Sequence, residues 1–309
     1  MECIKQTLQD IAIVQLTTAP TIEKLDWQWR GYNIKYTVMG HGQPLVLIHG
    51  FGASIGHWRK NIPVLADGGY KVFAIDLLGF GGSDQPPLNY SLELWQELLQ
   101  DFWAEKIQIP AVFIGNSIGA LLSLMIVTKN PEIAAGGVLI NCAGGLNHRP
   151  DELKQPLRFV MGTFSKLVSS EILGKFLFDR IRQPHRIKNT LRQVYRHHAA
   201  ITDELVEILY TPSCQPTAQK VFASILTAPP GPKPEDLLPQ LDRPLLVLWG
   251  EADPWTPIAG AQIYQQFGQT KNIQFQSISD TGHCPHDERP EIVNPLILKW
   301  LASNKQPSV

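Results

Sequence analysis

The sequence predicts an α/β fold: a mostly parallel, eight-stranded sheet flanked by helices, with a helical lid inserted between strands six and seven. Three observations carry this expectation. Short apolar, β-branched runs alternate with helical patterns through the first half of the chain. From about residue 146 to 240 the strand signals stop and helical periodicity dominates. Beyond that stretch two strand runs and a final helix resume.

Taken in order, the segments 27–29 and 34–38 flank Gly31 and Tyr32 in a hairpin-like start. The runs LVLI (45–48), VFAI (72–75) and AVFI (111–114) read as buried strands. Unbroken apolar runs of this length suit parallel strands covered on both faces. A crossover helix is expected over 92–102, a second from near Ser117, and a further strand at 138–140. Pro229, Pro230, Pro232 and Pro234 close the helical stretch, before strands at 245–249 and 273–279 and a last helix over 291–300. The domain organisation expected is an N-terminal extension (1–24), a core domain (25–145 and 241–309) and a helical cap (146–240).

Composition narrows the function classes. With 27 Lys and Arg against 28 Asp and Glu, the formal charge is −1, so no global field attracts nucleic acid or an anionic membrane. The four cysteines (Cys3, Cys142, Cys214, Cys284) form no CxxC pair and have no metal-ligand spacing, which suits reduced thiols. The apolar stretch 11–16 is too short for a secretory core, and no apolar run reaches the length of a membrane span. A cytoplasmic protein without metal or organic cofactor is expected.

The segment GNSIG (115–119) has the GxSxG form, follows an apolar strand and precedes an apolar helix. By itself the pattern arises often by chance; the strand–turn–helix context makes Ser117 a candidate nucleophile. Glycines at 115 and 119 are needed because the tight turn leaves no room for side chains there. The following helix N-terminus favours developing negative charge. A serine hydroxyl needs a base, and on such a sheet the acid and then the histidine follow in sequence. His283, four residues past the last predicted strand, is the candidate base, with His286 as a supporting loop residue. Asp253, three residues past Gly250 at the end of the seventh strand, is the candidate acid; Glu251 is the weaker alternative. The place after strand six holds Asn141, which supplies no carboxylate. The backbone N–H groups of Ile118 and Phe51 are the candidate oxyanion donors, with Gly50 and Gly52 turning the loop HGFGAS (49–54) toward the serine. His49 reads as a residue that orients this loop, and Cys284, outside any elbow, is discounted as a nucleophile.

The segments HGFGAS from His49, DLLGFGGSD from Asp76, GNSIG from Gly115, GEADPW from Gly250 and GHCPHDERPE from Gly282 resemble the α/β-hydrolase superfamily. Within it the chain looks most like the pheophytinase and chlorophyll dephytylase group. That likeness rests on GNSIG, the Asp253-Pro254-Trp255 turn, the loop 282–288, and QVYRHH (193–198) and FASILTAPPG (222–231) inside the insertion. The resemblance implies a serine esterase that removes the phytyl tail of chlorophyll-type pigments, with Ser117, Asp253 and His283 as triad and Phe51 and Ile118 as oxyanion donors.

The insertion is dense in large apolar residues over 157–181, among them Met161 and Phe164. These two, with Trp58 and Trp255 near the oxyanion loop and the acid turn, are candidates for a substrate pocket; the plainer reading is packing. Residues 149–198 carry eleven Lys and Arg against four Asp and Glu. That excess suits peripheral contact with a membrane surface, or simply a solvated helix face. The expected substrate is a small-molecule apolar ester, cleaved through an acyl-enzyme. The alternatives are a carbon–carbon bond hydrolase of ring-cleavage diketones, a cofactor-free perhydrolase, and a non-catalytic module that holds a hydrophobic ligand. Oligomeric state is not legible.

Overall fold

Eight strands, β1 (Leu25–Trp29), β2 (Tyr32–Met39), β3 (Gln43–Ile48), β4 (Tyr70–Ile75), β5 (Ala111–Asn116), β6 (Ala134–Ile140), β7 (Leu245–Gly250) and β8 (Ile273–Ile278), form one sheet in the computed structural model. The structure describes residues 22–146, 168 and 170–304. Strand order is β1-β2-β4-β3-β5-β6-β7-β8. The β1–β2 and β2–β4 pairs are antiparallel and all others parallel. The β1–β2 hairpin closes through Arg30 (φ 50) and Gly31 (φ 84). Two left-handed residues in a two-residue loop match the twist of the strands they join.

Among the described residues, helices of ten or more residues are α1 (Leu92–Lys106), α2 (Ile118–Lys129), α3 (Glu171–Ile181), α4 (Pro184–Val194), α5 (Asp203–Ser213), α6 (Ala218–Thr227) and α7 (Pro290–Ser303). Ser91 caps α1 by accepting from Leu94 N at 3.2 Å. The parallel strands divide their side chains between two packed layers, as the period-two geometry of a strand requires. Val46 and Ile48 join α1 and α2 residues such as Trp95, Leu98 and Leu121, whereas Leu45 and Leu47 join Ile62, Leu65, Val293 and Ile297 on the opposite face. Each such aliphatic side chain, fully buried, stabilises the fold by about 1.5–3 kcal/mol. That double burial is why β3 and β5 lack alternation, while the edge strand β8 alternates half-buried with exposed positions.

The chain leaves β3 toward β4 on one side and β5 lies on the other, so the strand order reverses between them. At such a switch point the loops beyond the strand ends diverge and leave a crevice. The loops following β3 and β5 meet there, joined by those after β7 and β8. Helices α3 to α6 all fall between β6 and β7, as the loss of strand signal implied. No helix among the described residues is long and apolar enough to cross a membrane. The expected N-terminal extension up to residue 21, and Met161 and Phe164, lie outside the described residues.

Candidate active site

Ser117 sits between the last residue of β5 and the first of α2 with φ 57 and ψ −118. Such a backbone costs an L-residue about 1–3 kcal/mol and persists only when its surroundings enforce it. Here they do: Ser117 N donates to Ile140 O at 3.0 Å, and Ser117 O accepts from Leu121 N at 3.2 Å and Ala143 N at 3.1 Å. A Cβ on Gly115 would overlap the backbone of Gly119 and Ala120, and one on Gly119 the carbonyls of Ile48 and His49. The steric demand read from the motif is therefore met by backbone atoms, which cannot swing aside. Ile118 opens α2, so its N–H stands outside the helical ladder, at the positive end of the helix.

The loop after β3 approaches this turn closely. A Cβ on Gly50 would lie 3.3 Å from both Ser117 Cβ and Asn116 O, and Gly52 takes φ 69. Phe51 and Ile118 both line the cavity in front of Ser117. His49 holds the loop in place: its Nδ1 donates to Gly50 O (2.8 Å) and its Nε2 accepts from Leu77 N (3.0 Å). Burial lowers the His49 pKa, which suits a neutral ring with those two roles.

His283 Nδ1 donates to Asp253 Oδ2 at 2.6 Å. The carboxylate collects four further donors: Asn141 Nδ2 (2.7 Å) and the Thr256 hydroxyl at Oδ2, Trp255 N (2.7 Å) and Thr256 N (3.1 Å) at Oδ1. Burial alone would raise the Asp253 pKa, but the His283 and Thr256 hydrogen bonds outweigh it and hold the carboxyl below its usual range. Glu251 is exposed, whereas Asp253 is 4% exposed. Asn141, at φ 44, also accepts from Gly250 N (2.9 Å) and so fastens the end of β6 to the turn carrying Asp253. On the other flank Asn116, beside Ser117, donates to His283 O at 3.0 Å.

Ser117, His283, Phe51, Ile118 and Trp255 line one cavity of about 540 Å³. Core loops contribute further lining residues such as His57, Phe80, Gln85 and Cys284, and the insertion adds mostly apolar walls, including Phe178, Leu191, Val221, Phe222 and Ile225. Trp255 is 55% exposed and meets the His283 ring edge-on at 5.2 Å. Trp58 is a correction to the sequence reading. It is fully buried, packs on the His286 ring at 4.2 Å and lies in the core instead of the cavity wall. Proximity in sequence to the loop 49–54 says nothing about which way a side chain on the next turn faces. His286 is likewise buried away from the cavity, and burial pushes its pKa well down. Cys284 does line the cavity, but burial pushes its thiol pKa well up, away from the nucleophilic thiolate.

The sequence pattern of the alpha/beta hydrolase fold family matches residues 43–290. The chain belongs to that family. Among α/β-hydrolases of known identity it is 28% identical over 299 residues to the chloroplastic pheophytinase of Arabidopsis thaliana, covering 84% of this chain but 61% of that protein. It is 27% identical over 281 residues to the 2-hydroxy-6-oxo-6-(2'-aminophenyl)hexa-2,4-dienoic acid hydrolase of Metapseudomonas resinovorans, covering 88% of each. The crystal structure of a serine hydrolase involved in carbazole degradation superposes with a TM-score of 0.73 at 22% identity, over 92% of this chain and all of that one. At that identity the superposition bears on fold alone. Asn141, Thr256, Tyr195 and Glu288, whose hydrogen bonds tie the site's segments together, are residues that sequence reasoning missed; only Asn141 had a signal, by standing in the place after strand six.

Proposed function

We propose that this α/β-hydrolase is a serine esterase acting on a bulky apolar ester, with residues 146–240 serving as its lid. The observation that carries the reading is that His283, hydrogen-bonded to Asp253, opens on the same largely apolar cavity as Ser117. In the mechanism, His283 takes the proton of Ser117 as the hydroxyl attacks the ester carbonyl. The N–H groups of Phe51 and Ile118 receive the oxyanion, the alcohol leaves, and water repeats the cycle on the acyl-enzyme. Asp253 fixes the His283 tautomer and stabilises its imidazolium. A phytyl ester of a chlorophyll-type pigment suits the apolar walls, and the likeness to pheophytinase supports that choice.

A second reading, hydrolysis of a carbon–carbon bond in a diketone acid, draws on the likeness to the dienoic acid hydrolase. Such substrates carry a carboxylate. Among the described lining residues the one permanent cation is Arg182, whose Nε is already engaged by Asp179 at 2.8 Å. That polarity favours the ester. The test is turnover of p-nitrophenyl esters of increasing acyl length beside a ring-cleavage diketone. The ester reading expects hydrolysis that is lost in Ser117→Ala; diketone cleavage with inert esters would replace it.

A further inference from the structure

The loop that carries His283 is held from the insertion as well as from the sheet. His283 N donates to Val194 O at 2.8 Å, and a Cβ on Gly282 would overlap that same carbonyl. Glu288, 5% exposed, spans the two segments. Its Oε2 accepts from Gly282 N at 2.9 Å, while its Oε1 accepts from Arg196 N at 2.9 Å and His197 N at 2.8 Å. Between these contacts Tyr195 is fully buried; its hydroxyl donates to Asp287 Oδ2 (2.9 Å) and accepts from His57 Nε2 (2.9 Å). Asp287 is anchored in turn by Arg59 at 2.8 Å and Lys60 at 3.2 Å.

We infer that Glu288 is a positioning residue for His283, acting by locking the backbone at the end of α4 against the loop 282–283. The inference rests on His283 being the general base. Two consequences distinguish it from ordinary loop packing. First, the end of α4 is part of the base's support, so substrate must gain access elsewhere along the insertion; lifting this end would release the His283 amide. Second, a carboxylate is needed because all three of its partners are N–H donors. An amide at 288 would set its own NH2 against one of them and leave a buried donor unpaired. The resulting shift would fall on the base, where a displacement near 1 Å costs about 100-fold in rate.

The experiment compares wild type with Glu288→Gln and Tyr195→Phe. It measures kcat and KM on p-nitrophenyl butyrate, and the rate and final stoichiometry of Ser117 labelling by a fluorophosphonate. For Glu288→Gln, kcat and the labelling rate constant should fall together by about 10- to 100-fold, with KM nearly unchanged and labelling still reaching one per chain. Tyr195→Phe should show the same signature at several-fold, and it carries the test if Glu288→Gln does not fold. Unchanged rate constants, or a lower labelled fraction at an unchanged rate constant, would overturn the positioning role, since the latter is what partial unfolding gives. Absence of Ser117 labelling in the wild type would instead overturn the reading of the site itself, and the positioning role with it.

Discussion

Replacing Asp253 by asparagine tests the electrostatics of the site with almost no change of shape. All five groups around the carboxylate are donors, two backbone amides at Oδ1 and His283, Asn141 and Thr256 at Oδ2. The backbone amides cannot turn, so the asparagine carbonyl should stay with them and the NH2 should take the place of Oδ2. There it faces His283 Nδ1, now separated from Oδ2 by 2.6 Å. To accept from that NH2, His283 must move its proton to Nε2, and in that tautomer it cannot take the proton of Ser117. The corresponding change in a serine protease lowers kcat about 10⁴-fold, or about 5.4 kcal/mol at 1.36 kcal/mol per tenfold. Steady-state hydrolysis of p-nitrophenyl butyrate measures it, with thermal unfolding to verify the fold. A kcat within tenfold of wild type would refute the argument, and a damaging Glu251→Gln beside it would move the acid to Glu251.

Ser117→Ala should abolish ester turnover while circular dichroism and the unfolding temperature stay near wild type; turnover at the wild-type rate would remove Ser117 from the mechanism. Gly119→Ala drives a methyl into the Ile48 and His49 carbonyls, so it should destabilise by about 1–3 kcal/mol or more in urea unfolding and abolish activity. Val221→Phe narrows the apolar cavity, and KM should rise for long-chain esters but not for p-nitrophenyl acetate. Burial pushes the His57 pKa down to about 4, against about 6.5 in the unfolded chain. As pH falls below about 6.5 the unfolded chain binds a proton that the folded one refuses, so stability should decline by roughly 3 kcal/mol by pH 4. His286 acts in the same direction. Urea titrations at pH 7 and 4 should show that decline, and His57→Gln should reduce it.

Local chemistry made the sheet and the elbow legible. Leu45 to Ile48 and Ala111 to Ile114 are apolar throughout because β3 and β5 are buried on both faces, and Gly115 and Gly119 mark a turn that backbone atoms crowd. Asp253 could be singled out because its place three residues past the end of β7 is a property of the chain's local course, and the structure sets its carboxylate against His283 Nδ1. The groups that hold the site together were not. Asn141 meets Asp253 across 112 positions, and Glu288 meets Arg196 across 92. No periodicity or turn signal reports such pairings, which arise only when the strand ends are brought side by side. Trp58 shows the converse limit: it lies only four residues past the loop 49–54, yet the short turn at Ile55–Trp58 points it into the core.

The most direct test of the account is release of phytol from pheophytin by the purified protein, with Ser117→Ala in parallel and short esters alongside. The account predicts phytol and the free acid from the wild type and neither from the variant. Hydrolysis of short esters alone would retain the serine mechanism and contradict the bulky pigment ester. Inertness toward every ester would contradict the central claim.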